Sequence, residues 1–294
     1  MVRIGINPLT WTNDDLPELG EENSLEKCLT EAKLAGYEGV ELGRKFPRDA
    51  AVLGPILKKF QLSLVSGWYS ARLLERPVEE EIKAMQPHLT LLKTLGAKSM
   101  VFCEVSRCVH GDRKVPLSKR PRLAEGEWQP FCERLDAVAI YLEKHGMKMA
   151  YHHHMGTVIQ AEGEVDRMMD ATRSAGLLLD TGHLTFAGGD PLRALKRHAK
   201  RIVHVHCKDI RKDQLVQARK NDWSFLDAVV GDVFAVPGDG SIDFEPVLRE
   251  LSKHQYSGWL VVEADQDPAR AHPLSHARIG HDCLRPLAKR YWTR

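Results

Sequence analysis

The chain has 294 residues, with 42 basic and 40 acidic side chains and a formal net charge of +2. So even a balance provides no broad cationic face for nucleic acid or a membrane surface, and no apolar run approaches the roughly 18 residues of a membrane span. Hydrophobic residues make up 43% and charged residues 28%, as in a soluble globular enzyme. The six cysteines, at positions 28, 103, 108, 132, 207 and 283, form no C-x-x-C pair. Reduced thiols are therefore expected. The first residues enter a strand with no signal-peptide pattern, and the cytoplasm is the expected compartment.

In chain order, residues 2–7 read as a short strand ending in Asn7. Ser24 is an N-cap, with Leu25, Cys28, Leu29 and Ala32 following at helical spacing and Gly36 as the stop. Residues 37–42 are a second strand carrying Glu41. Asp49 opens a helix to residue 60, and residues 61–68 form a third strand with Trp68 at its exit. Pro77, with Glu79, Glu80 and Glu81 in the first turn, opens a helix to Gly96. A fourth strand, 98–104, ends in Glu104. Residues 105–127 carry no apolar period and predict a long loop over a barrel mouth. Residues 128–146 are helical, with Phe131, Leu135, Val138 and Leu142 on one stripe.

The fifth strand, 147–151, runs into His152, His153 and His154, and a helix covers 162–175. Leu177, Leu178 and Leu179 form a run buried on both faces, as in a parallel sheet covered by helices, and it ends in Asp180, Thr181, Gly182 and His183. Asp190 and Pro191 supply an N-cap and an N1 proline. The seventh strand ends at His206, followed by Lys208 and Asp209. Residues 210–234 are a second excursion with a helix around 223–230. A tight polar turn at 236–240, a helix at 244–254, an eighth strand ending at Glu263 and a helix at 275–290 complete the chain. Eight strand–helix units without a linker predict an α/β fold, one (β/α)8 TIM barrel over residues 1–294 as a single catalytic domain. The competing open sheet lacks its G-x-G-x-x-G mark after the first strand.

Three successive strands each deliver a metal-competent side chain at the C-terminal end, where barrel chemistry sits: Asp180, His206 and Glu263. Such a set suits a divalent cation with open positions for substrate oxygens. Singly, Asp180 could instead cap the next turn, His206 could be a core histidine, and Glu263 could pair with an arginine. Side chains alternate along a strand, so His152 and His154 face one way, giving a candidate fourth ligand and a proton carrier. Lys208 shares the parity of His206, and a neighbouring cation would lower its pKa into a useful range. His154 would titrate near neutrality. Lys208 and His154 are therefore the expected proton-handling pair, with Glu104 next. His183 and Asp239 are expected on substrate hydroxyls, and Glu41 as a base or a substrate hydrogen-bonder.

Six stretches carry a resemblance over nearly the whole chain: residues 5–17 (GINPLTWTNDDLP), 66–70 (SGWYS), 151–157 (YHHHMGT), 179–190 (LDTGHLTFAGGD), 204–209 (HVHCKD) and 236–240 (VPGDG). In these the chain resembles the xylose-isomerase-like barrel superfamily and, within it, the inosose dehydratases of inositol catabolism. The resemblance implies loss of water from 2-keto-myo-inositol, a cyclic polyol ketone, to give a trihydroxycyclohexane-dione. It also implies Mn²⁺ or Co²⁺, with Zn²⁺ as a further option, and glutathione, for which no motif here accounts. The superfamily's metal site carries Glu, Asp, His and Glu. Asp180, His206 and Glu263 match the last three, and His152 is expected in place of the first. Asn7 and Trp68, within matching stretches, are expected to bind substrate. A homo-oligomer is a possible assembly. A ketose isomerase or epimerase on the same barrel is the alternative, since it shares the enolate chemistry. A DNA-repair endonuclease would need further metals and a basic face.

Overall fold

The computed structural model describes residues 1–292. Its strands are β1 (Val2–Ile6), β2 (Gly39–Leu42), β3 (Ser63–Ala71), β4 (Ser99–Glu104), β5 (Lys148–His152), β6 (Gly176–Asp180), β7 (Ile202–Cys207), β8 (Asp209–Ile210), β9 (Phe234–Ala235) and β10 (Gly258–Val262). Eight of them close a parallel barrel in the order β1-β10-β7-β6-β5-β4-β3-β2, while β8 and β9 form a separate antiparallel ribbon. The helices are α1 (Leu25–Leu34), α2 (Ala50–Phe60), α3 (Val78–Thr94), α4 (Trp128–Lys144), α5 (Glu162–Ala171), α6 (Thr181–Phe186), α7 (Pro191–His198), α8 (Lys212–Lys220), α9 (Phe225–Val230), α10 (Phe244–Lys253) and α11 (Pro273–Trp292). This is the (β/α)8 architecture that the eight units predict.

Local chemistry starts the helices where the sequence places them. The side chains of Ser24, Asp49 and Asp190 each accept a hydrogen bond from a backbone N–H of the first turn. Two helices and a two-stranded ribbon are not anticipated. The helix α6 begins directly at the end of β6, and α8 occupies much of the second excursion, which the β8–β9 ribbon closes. The loop after β4 holds only two short 3₁₀ turns among the described residues.

Strand parity divides the barrel residues into two sets. Ile4, Ile6, Val40, Leu42, Met100, Phe102, Leu177, Leu179, Leu260 and Val262 face outward into the main core under the helices. Val101, Ala150 and Leu178, packed with Trp68 and Val203, form a small apolar plug inside the barrel. Above that plug, at the C-terminal ends of the strands, the interior positions are polar and buried, among them Glu41, His152, Asp180, His206 and Glu263. Buried polar groups persist only where they find partners or an ion. The apolar plug therefore supports a polar floor.

Candidate metal centre and active site

One atom each from His152, Asp180, His206 and Glu263 falls within 4.8 Å of the others. His152 Nε2 and His206 Nδ1 both lie 3.6 Å from Asp180 Oδ2, and His206 Nδ1 also contacts Glu263 Oε2. Ligand atoms about 2.0–2.2 Å from a shared ion sit at such separations. Asp180 Oδ2, His206 Nδ1 and Glu263 Oε2 are buried and make no hydrogen bond. Three orphaned acceptor-type atoms converging at one point fit a divalent cation, and the four residues predicted for the metal are brought together.

Asp180 caps the next turn and also turns an oxygen toward the cluster. Its Oδ1 accepts from the backbone N–H of His183 at 2.7 Å and caps α6, while Oδ2 faces the other three donors. His152 shares a hydrogen bond between Nδ1 and the carbonyl of His153 at 3.0 Å, so Nδ1 carries the proton and Nε2 is left as a lone pair. Burial holds the His152 pKa below the usual histidine range, which keeps it neutral. For His206 burial opposes the charge, but Glu263 and Glu41 outweigh it and raise the pKa. The surrounding field demands a positive charge.

Lys208 is fully buried beside this cluster. Its Nζ donates to Asp265 Oδ2 at 2.6 Å, contacts His183 Nε2 at 2.9 Å, and lies 3.1 Å from Glu263 Oε1 and 3.7 Å from Asp180 Oδ2. Burial works against the ammonium, yet Asp265, Glu263 and Asp180 prevail and raise its pKa. The protein's own field thus favours the ammonium, because three carboxylates surround a single lysine, and the lowering expected beside a cation would have to work against them. Asp265, which sequence reasoning passed over, is its nearest partner; it follows Glu263 by two residues, and that shared parity was the available signal.

The cluster forms the floor of a cavity of about 240 Å³, lined by Asn7, Glu41, Trp68, His110, His154, His206, Glu263 and Asp265, with Asp14, Asp15 and Ser70 nearer the rim. His154 shares Nδ1 with the carbonyl of Met155 at 2.8 Å, so Nδ1 carries the proton and Nε2 is left as a lone pair on the neutral ring. Burial, reinforced by His110 and His152, holds its pKa well below the ordinary range, so it is neutral at pH 7 and does not titrate near neutrality as expected. Trp68 lines the wall, its ring centroid 5.5 Å from those of His152 and His154. His110 comes from the long loop, fixed there because the N–H of Val109 donates to the carbonyl of Gly156 at 2.9 Å. No periodic pattern could have pointed to it.

Four expected site residues have other duties. Asn7 lines the cavity, but its Nδ2 donates to Glu41 Oε2 at 2.7 Å and its Oδ1 accepts from Leu9, so its amide is committed to the protein. His183 is spent on Lys208, whose Nζ lies 2.9 Å from its Nε2, while its Nδ1 lies 3.4 Å from the backbone nitrogen of Met155. Asp239 pairs with Arg211 at 2.5 Å, a third exposed and away from the cavity. The turn it belongs to is held by Asp209, which accepts from Gly238, Gly240 and Ile242. Glu104 has the wrong parity: Val101 faces inward, so Glu104 faces out, where its oxygens accept from Leu73 and Ser106. Glu104→Gln should therefore leave kcat unchanged in steady-state assays. It should cost about 1–3 kcal/mol in urea unfolding, since one buried N–H loses its acceptor.

A model of the xylose isomerase-like TIM barrel family matches residues 29–287. The chain belongs to that family. It is 51% identical to the rhizopine catabolism protein MocC of Rhizobium meliloti, over 98% of this chain and 89% of that one. Inosose dehydratases match at similar length. The protein from Clostridium perfringens is 44% identical over 94% of both chains, and that from Geobacillus thermodenitrificans is 45% identical over 97% and 96%. Among solved structures, the zinc-bound IolI protein superposes with a TM-score of 0.71 at 17% identity, covering both chains fully. At that identity the likeness shows the barrel.

Proposed function

We propose that the chain is an inosose dehydratase, a divalent-metal-assisted hydro-lyase that eliminates water from 2-keto-myo-inositol to give a trihydroxycyclohexane-dione. The observation that carries this reading is the convergence of three unpartnered buried atoms, on Asp180, His206 and Glu263, beneath a cavity walled by His154 and Asp265. Near-full-length relatives named inosose dehydratase supply the substrate class. His152, Asp180, His206 and Glu263 would hold a divalent ion, which would supply Lewis acidity toward the ketone and so acidify the neighbouring C–H.

The chain's own groups handle the protons. His154, neutral and with a free Nε2, takes the α-proton. Lys208 is the proton reserve for the departing hydroxyl. It lies behind the cavity wall, so the proton leaves through Asp265, whose carboxyl lines the cavity and touches Nζ. The ring of His183, 4.0 Å from that of His154 and in contact with Lys208, holds the two groups side by side, and solvent in the cavity returns the proton from His154 to Asp265 and Lys208 between turnovers. Trp68 supplies an apolar wall for the polyol ring.

Protein stripped with a chelator should lose dione formation from inosose. Reloading with Mn²⁺, Co²⁺ or Zn²⁺, each with and without glutathione, should identify the ion that restores it. Full activity without metal, or conversion of inosose to an isomer without loss of water, would overturn the reading. His154→Gln should lower kcat about 10²–10⁴-fold while metal content, measured by elemental analysis, stays at the wild-type value.

A further inference from the structure

Among the described residues, Glu41 is the buried carboxylate of the barrel floor that neither the metal set nor the proton path uses. It comes from β2, three strands around the barrel from β7 and 165 residues from His206 in sequence. His204 Nε2 is 2.8 Å from its Oε1, and Asn7 Nδ2 donates to its Oε2 at 2.7 Å. His206 Nε2 lies 3.3 Å from Oε1 and 3.2 Å from Oε2. An ionised carboxylate only accepts hydrogen bonds, so every nitrogen turned toward it must carry hydrogen. Glu41 thereby holds a proton on Nε2 of His206, so that the nitrogen able to give up its proton to an ion is Nδ1, which lies between Asp180 and Glu263.

We infer that Glu41 is a positioning residue of the metal centre: it sets the tautomer of His206 so that Nδ1 is the ligating atom. This rests on the metal reading above. A histidine ligand commonly gives its second ring N–H to a carboxylate or a carbonyl, which fixes both tautomer and ring orientation. Here the two histidines are set in opposite senses. The carbonyl of His153 takes Nδ1 of His152, leaving Nε2, whereas Glu41 takes Nε2 of His206, leaving Nδ1. Asn7 and His204 fix Glu41 in turn. This accounts for an asparagine amide that lines the cavity yet is spent on the protein.

The test reads the imidazole rather than turnover. Wild-type protein with ¹⁵N-labelled histidine is loaded with Zn²⁺, and long-range ¹H–¹⁵N correlation spectra assign hydrogen and metal to the two nitrogens of His206. Hydrogen on Nε2 and metal on Nδ1 is the expected result. Competition against a chelator then measures zinc affinity in Glu41→Gln and Glu41→Ala, expected to be weakened about 10-fold and about 100-fold, within the range for such outer partners. Zinc bound through Nε2 of His206 overturns the inference. So does a folded Glu41→Gln with wild-type zinc affinity and an unchanged His206 spectrum. If the variants fail to fold, the wild-type spectrum decides. Wild-type protein that binds no zinc, manganese or cobalt would overturn the metal reading itself, a result distinct from failure of the Glu41 assignment.

Discussion

Asp180→Asn should abolish dehydration in a protein that still folds. The two oxygens of Asp180 serve separate ends: Oδ1 accepts from His183 N–H, and Oδ2 faces His152, His206 and Lys208 without a hydrogen bond. The asparagine carbonyl can keep the cap. Its NH₂ group then replaces the ligand oxygen with a donor and removes a negative charge from the cluster. Lewis-acid stabilisation is worth several kcal/mol, and each 1.36 kcal/mol is tenfold in rate, so kcat/KM should fall at least about 10³-fold. Metal should be lost on gel filtration, as elemental analysis would register. Asp180→Ala adds the loss of the cap, about 1 kcal/mol more of stability, and so separates the two duties in thermal unfolding. An Asp180→Asn protein that retains its metal and works within tenfold of wild type would rule Asp180 out as a ligand.

Lys208→Met should damage both rate and stability. Loss of a proton carrier typically costs about 10²–10⁴ in kcat, and the metal should stay bound. The stability term has a different origin. The ammonium is the common partner of Asp265, Glu263 and Asp180 in a fully buried site, and leaving carboxylates there unpaired costs about 3–5 kcal/mol. Converting Asp265 to Asn in the same chain should recover part of that loss in urea unfolding without recovering activity, because the charge imbalance is reduced while the proton reserve is still absent. If Lys208→Met keeps wild-type kcat on inosose, Lys208 has only a structural role, and His110 becomes the next group to test.

The space for that lysine exists because residue 182 is glycine. A Cβ there would come within 2.5 Å of Lys208 Cγ and 2.8 Å of Cδ. In the sequence, Gly182 is a small residue in a turn after a strand. What makes it necessary lies 26 positions away, just past the end of the neighbouring strand.

The eight strand–helix units, the caps at Ser24, Asp49 and Asp190, and the polar endings at Asp180, His206 and Glu263 were legible because they rest on local physics. Period, capping chemistry and the alternation of side chains act over a few residues. The same alternation placed His152 and His154 on one side. It would also have excluded Glu104 had the facing of β4 been known, but facing is set by the neighbouring strands. Those pairings are uneven, with register shifts between β2 and β3 at Val40 and Leu42, and between β6 and β7 at Leu177 and Leu178.

The sequence by itself therefore determined the barrel and pointed to the candidate metal set, since Asp180, His206 and Glu263 are each announced by the strand that carries them and His152 by the end of its own. Only the tertiary structure decided how those residues are used. It turned Glu41 toward His206, gave Lys208 to Asp265, spent Asn7 and His183 on holding their neighbours, and sent Asp239 to Arg211. The physical reason is that a buried polar group must be satisfied by whatever the closed barrel brings within about 3 Å. That partner is fixed by strand order and register across the fold and leaves no local pattern in the chain.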